Sequence, residues 1–66
     1  MKYPLTEIQL TVVRYAAAGM GGKESAQRMG LSPHTVNTYR KMILKKLDAR
    51  TMTEAVAKAM RAGVIQ

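Results

Sequence analysis

The sequence predicts an all-α domain of four helices, with the second and third joined by a tight turn into a helix-turn-helix unit. Helix-start signals recur at Thr6, Ser32 and Thr51, each followed by apolar residues at helical spacing, and glycines at 19, 30 and 63 stand where that spacing stops. A chain of 66 residues without cysteine and with few aromatics has room for one modest core, built from Leu, Ile, Val, Met and Ala. Helices packed against one another, or an oligomer, are how an unstapled chain of this size holds together. The expected helices cover about residues 7–18, 22–29, 33–47 and 52–62 of a single domain 1–66.

Residues 1–4 read as a short unstructured lead. Thr6 and Gln9 are then spaced for a capping box, and Leu5 and Leu10 for a hydrophobic staple. The first helix continues through Val12, Val13, Tyr15, Ala16 and Ala17 and stops at Gly19. Its apolar content makes it a core helix with no chemistry of its own.

The second helix starts at Gly21-Gly22, which supplies no capping hydroxyl and carries a high ordering cost. It is expected to be short and to fray at its start. Lys23 and the unpaired N–H groups there fit a phosphate seat, and fit a flexible loop equally well. Ala26 is small enough for a close approach of the next helix, and Gly30 suits a left-handed stop.

The third helix has the strongest start. Ser32 is a good N-cap, Pro33 falls where its missing N–H costs nothing, and Leu31 and Val36 are placed for a staple. At about 100° per residue, Val36, Ile43 and Leu47 share one stripe, with Tyr39 and Arg40 on its borders. His34, Asn37, Thr38, Lys41 and Lys45 fall opposite. Short hydrogen-bonding side chains followed by lysines are what a helix needs to reach base edges and phosphates in a DNA groove. A merely solvated face is polar too. The tight turn before it, with a helix on either side, tips the reading toward a unit that lays its second helix in the major groove.

Thr51 and Glu54 open the fourth helix in a capping-box pattern, and Gly63 stops it. Met52, Ala55, Val56 and Ala59 form a core stripe. Thr53, Ala57, Met60 and Val64 line an adjacent stripe that suits a homodimer contact or a widened core.

Eleven Lys and Arg against four Asp and Glu give a formal charge of +7. Lys23, Arg28, Arg40, Lys41, Lys45, Lys46 and Arg50 crowd the middle of the chain, whereas the first twenty residues hold only Lys2 and Arg14. Such a distribution points to a polyanionic partner, or to a basic soluble surface. No apolar run is long enough to span a bilayer and no signal-peptide pattern is present, so a cytoplasmic protein is expected. His34 is the lone histidine, with no carboxylate near it in sequence, so no enzyme, metal site, cofactor or small-molecule ligand is expected. RNA binding lacks an aromatic stacking platform.

Taken in order, Leu5-Thr6, Ala18-Gly19-Met20, Lys23-Glu24, Ala26, Gly30-Leu31-Ser32, Thr35-Val36, Arg40, Ile43, Lys46-Leu47 and Thr53-Glu54-Ala55-Val56 make the sequence resemble the LuxR-type, GerE-like helix-turn-helix domain. That module forms the C-terminus of NarL/FixJ response regulators and quorum-sensing regulators. The resemblance covers Leu5 to Ile65. It implies a four-helix fold whose third helix reads the major groove of double-stranded DNA, and a homodimer through the fourth helix. It puts Asn37, Thr38 and Lys41 at base-edge positions and Lys23, Thr35, Lys45 and Lys46 at backbone positions. His34 is added to the base-contacting set and Arg40 to the phosphate-contacting set. Three residues depart from the family pattern. Gln9 replaces a usual Glu, which weakens a buried tie to a basic residue. Ser25 replaces a core aliphatic, and Asp48 replaces a glycine at little cost.

The expected function is sequence-specific DNA binding by a dimeric, single-domain bacterial or phage transcription regulator. The short lead after Met1 fits a complete small protein, and a piece of a larger regulator is the other possibility. The alternative function is a protein-binding antagonist that pairs through its fourth helix with a full-length relative.

Overall fold

The computed structural model describes residues 5–65; the expected lead over residues 1–4 lies outside them. Four helices follow in order: α1 Glu7–Ala17, α2 Gly22–Met29, α3 Pro33–Leu47 and α4 Met52–Arg61. No strand occurs among the described residues. α1 and α4 each end one residue before the sequence-based bound. Ala18 and Ala62 close them, and the chain turns at Gly19 (φ 87°) and Gly63 (φ 74°).

The helix starts follow from local chemistry. The Gln9 N–H donates to Thr6 Oγ1 at 3.3 Å, and the Thr6 N–H donates to Gln9 Oε1 at 3.1 Å, which is the expected capping box. Ser32 Oγ accepts from the Thr35 N–H at 3.1 Å. Thr51 Oγ1 accepts from the Glu54 N–H at 3.1 Å. The return bond of this last pair differs from the expected box. Glu54 Oε1 accepts from the N–H of Arg50, one residue ahead of the cap, at 2.7 Å. Extended backbone at Thr51 (φ −137°) brings the Arg50 N–H within the carboxylate's reach. α2 alone has no side-chain cap.

Between α2 and α3, Gly30 is left-handed (φ 68°), and the Leu31 N–H donates to Ala26 O at 3.0 Å. This bond satisfies a carbonyl that the end of α2 would otherwise leave open. α3 ends in the same way at Asp48 (φ 52°, ψ 50°), a conformation that aspartate tolerates better than most residues.

The core lies where α1, α3 and α4 converge. Val12, Val13, Ile43, Leu47, Ala55 and Ala59 are wholly buried, and Leu5 and Ile65 close the cluster from the two chain ends. Each fully buried Val, Ile or Leu contributes about 1.5–3 kcal/mol. Val36 is also wholly buried, and Ala26 nearly so. Met52 and Val56 pack against the cluster from the expected core stripe of α4, as does Val64 from just beyond the helix.

Candidate nucleic-acid interface

α3 separates its faces cleanly. Val36, Ile43 and Leu47 are the buried residues of the helix, all on the stripe the spacing predicts. His34, Asn37, Thr38, Lys41 and Lys45 are all exposed. Apolar burial on one side therefore fixes which side chains face water on the other. His34, Asn37, Lys41 and Lys45 have ends committed to no described contact. Thr38 differs, because its Oγ1 donates to His34 O at 3.1 Å and is turned back along the helix. The hydroxyl's proton is thereby engaged, and its acceptor lone pairs and the methyl group are left as the residue's chemistry for a ligand.

The candidate phosphate contacts divide by position. Lys23 is exposed in the first turn of α2, beside Gly21 and Gly22. The first N–H groups of a helix have no intrahelical acceptor, and with glycine at the cap no side chain covers them. Lys23 also borders an open hollow of about 270 Å³ lined by Ala26, Gln27, Leu31 and Pro33. Thr35 is half-buried at the start of α3, its Oγ1 2.9 Å from Ser32 Oγ, so the cap already engages this hydroxyl. Lys45 is exposed near the helix C-terminus. The basic last turn of α3, Lys45 and Lys46, complements the helix dipole as well as offering charge to a ligand.

Lys46 Nζ donates to Gln9 Oε1 at 2.9 Å, tying α3 to α1. Gln9 is 2% exposed, so its amide oxygen serves two donors in a nearly dry setting, the Thr6 N–H and the Lys46 ammonium. The tie to a basic residue thus survives the Glu-to-Gln departure as a charge-assisted hydrogen bond to a neutral acceptor, without a second full charge.

Arg40 stands apart from the other expected phosphate contacts. It lies about 120° around α3 from His34, on the core side. The residue is half-buried, and its Nη1 is buried with no hydrogen-bond partner.

On α4, Thr53 and Met60 are exposed and Ala57 is half-buried. Val64 differs from the rest of the expected stripe. Gly63 turns the chain so that the Val64 N–H donates to Ala59 O at 2.9 Å, and the side chain packs against the core. The outward surface of the stripe is Thr53, Ala57 and Met60, with Met60 51% exposed.

The sequence reading missed one positioning residue. Lys58 Nζ donates to Leu47 O at 3.3 Å and to Asp48 O at 2.7 Å, so a side chain of α4 satisfies carbonyls at the end of α3. A lysine one helix after a left-handed stop was the available signal, but it does not single out its acceptor.

A short, capped helix-turn-helix with a polar, basic outer face on its second helix defines a domain of the DNA-binding transcription-regulator class. Residues 3–59 match the family described as bacterial regulatory proteins, luxR family. The chain belongs to that family. It is 40% identical over 57 residues to the virulence factors putative positive transcription regulator BvgA of Bordetella pertussis, covering 86% of this chain and 27% of that protein. It is 35% identical over 63 residues to the uncharacterized transcriptional regulatory protein YxjL of Bacillus subtilis, covering 96% and 29%. With the transcriptional regulatory protein FixJ of Bradyrhizobium diazoefficiens it shares 38% identity over 48 residues, covering 73% and 23%. The chain thus spans less than a third of the length of these relatives, whose names are those of regulators rather than enzymes. No helix among the described residues is long and apolar enough to cross a membrane.

Proposed function

We propose that the domain binds double-stranded DNA sequence-specifically as a homodimer in the cytoplasm, with α3 in the major groove, and that it serves transcriptional control. The observation that carries this reading is the division of α3. Its apolar stripe is spent on the core, while Asn37, Lys41, Lys45 and His34 stand exposed on the other side. Asn37 suits the paired donor and acceptor of adenine, Lys41 suits guanine, and the Thr38 methyl suits the thymine methyl. Lys23, Lys45, Lys46 and Thr35 supply the backbone contacts. Arg40 is left out of this set because its Nη1 is buried. Thr53, Ala57 and Met60 form the dimer surface, with Val64 as its inner edge.

The test is selection of duplexes from a random-sequence pool, followed by sequencing of the bound fraction. A two-fold symmetric motif supports both specific reading and dimeric docking, and a lone half-site removes the dimer. Asn37→Ala or Lys41→Ala should then relax base choice at one position, costing about 1–3 kcal/mol. Lys45→Ala should weaken all sequences alike and flatten the salt slope by about one. No enrichment at all would turn the reading to the antagonist, in which α4 pairs with a longer relative and the α3 face goes unused.

A further inference from the structure

α4 meets α3 through two kinds of contact. Its wholly buried residues are two alanines, Ala55 and Ala59, in one cluster with Ile43 and Leu47 of α3. Burial of methyl groups holds helices together without direction, so it sets their relative angle only weakly. Hydrogen bonds have direction and do set it. Lys58 supplies two, because its Nζ donates to Asp48 O at 2.7 Å and to Leu47 O at 3.3 Å.

The connection between the helices, residues 48–51, completes this joint. The Asp48 N–H donates to Lys45 O at 3.3 Å and the Ala49 N–H to Leu44 O at 2.9 Å, both back into α3. The Arg50 N–H donates forward to Glu54 Oε1 at 2.7 Å, into α4. Ala49 packs against the core. Bonds to both helices leave this short connection little freedom to act as a hinge. Lys58 closes the joint from the side away from the expected dimer surface. It stands at least about 100° around α4 from each of Thr53, Ala57 and Met60, on the flank that carries Glu54.

We propose that Lys58 is a positioning residue for target choice: by fastening the end of α3 to α4, it fixes the spacing at which the two reading helices of a dimer meet their half-sites. The proposal rests on the DNA-binding and dimer readings above. A dimer built on α4 carries its two α3 helices at a separation and angle that this joint sets once in each protomer, and half-site spacing follows from that geometry. Moving one half-site by one base pair shifts it about 3.4 Å along the duplex and turns it about 34° around the axis. A stiff joint cannot absorb that turn without losing contacts, and a loosened one follows it.

The test measures affinity of the full chain for duplexes that carry the selected half-site twice, at the preferred spacing and with one base pair added or removed. The readout is the ratio of the two affinities. The charge lost in a Lys58 variant lowers affinity for every duplex alike and so cancels in the ratio. Lys58→Met keeps the apolar stem and removes the ammonium. It should cut the ratio about threefold or more, while each half-site keeps its preferred bases and self-association by sedimentation stays unchanged. Lys58→Arg keeps the charged donors and should restore the ratio. The proposal falls if Lys58→Met leaves the ratio intact, whatever it does to melting, or if Lys58→Arg is no better than Lys58→Met. It falls also if the ratio is lost together with self-association, which would put Lys58 on the dimer surface. Selection of a lone half-site by the unaltered chain overturns the dimer reading and the proposal with it, whereas a spacing preference that survives Lys58→Met overturns the proposal alone.

Discussion

The two halves of the helix-turn-helix are anchored very differently. α3 starts on a serine cap and a proline, buries Val36, Ile43 and Leu47, and has its last carbonyls held by Lys58. α2 starts on two glycines without a side-chain cap, and its buried residues are only Ser25 and Ala26. Ser25 is wholly buried, and its Oγ has no hydrogen-bond partner. One helix of the pair is thus fixed from both ends and along one face, and the other is held by small side chains, by Met29 against the core and by its turn into α3. This contrast predicts that local opening begins in α2 rather than in α3, the helix that carries the outward face.

The largest effect that would test this contrast comes from the rigid half. Leu47→Ala should cost about 2–5 kcal/mol in thermal or denaturant unfolding, because the side chain is wholly buried in the core cluster and its loss leaves a cavity. A cost under 1 kcal/mol would mean that α3 is less firmly seated than its burial says. Next, Ser25→Ala should stabilise the domain by about 1 kcal/mol, since it removes a buried hydroxyl that nothing satisfies. If unfolding instead shows a loss, the hydroxyl has a partner in solution and α2 is better anchored than the contrast states. Gly21→Ser should add only a few tenths of a kcal/mol, because a serine cap is little better than glycine at this position. A Cβ there meets nothing within 4 Å, so no clash offsets the gain. Amide exchange in α2 should slow more than in α3, and an equal slowing would blur the distinction.

The smallest effect concerns acid. The Arg50 N–H that donates to Glu54 holds its carboxyl below the usual glutamate range, with Lys58 adding to the effect. A depressed folded value contributes stability above the ordinary glutamate pKa and loses it as pH falls through the folded value. The acid limb of the stability profile should therefore flatten slightly in Glu54→Gln. An unchanged limb would mean that the bond from Arg50 does not persist in solution.

What the sequence made legible follows the same division. The start, the buried stripe and the exposed face of α3 rest on rules that act within one or two turns: a cap, a proline and the helical period. The weak start of α2 was legible for the same reason, as were the left-handed stops at Gly30 and Asp48. The features that escaped depend on the meeting of distant segments. Lys58 finds its carbonyls only because α4 folds back beside the end of α3. The position of Arg40 beside the stripe was readable, but the groove it lines needs small residues from α1 and an apolar edge from α4. Val64 kept its place on a helical projection and lost it in space, because the chain turns at Gly63.

The exposed face of α3 has one more consequence. His34, Asn37, Lys41 and Lys45 support no core packing and no described bond between helices. Substitutions at such surface sites usually shift stability by less than about 0.5 kcal/mol. A lineage can therefore rewrite these positions while the fold beneath stays as it is, and on the proposed reading the preferred target changes with them. If the proposed reading holds, the same independence makes this surface a suitable place to install a new target preference by design.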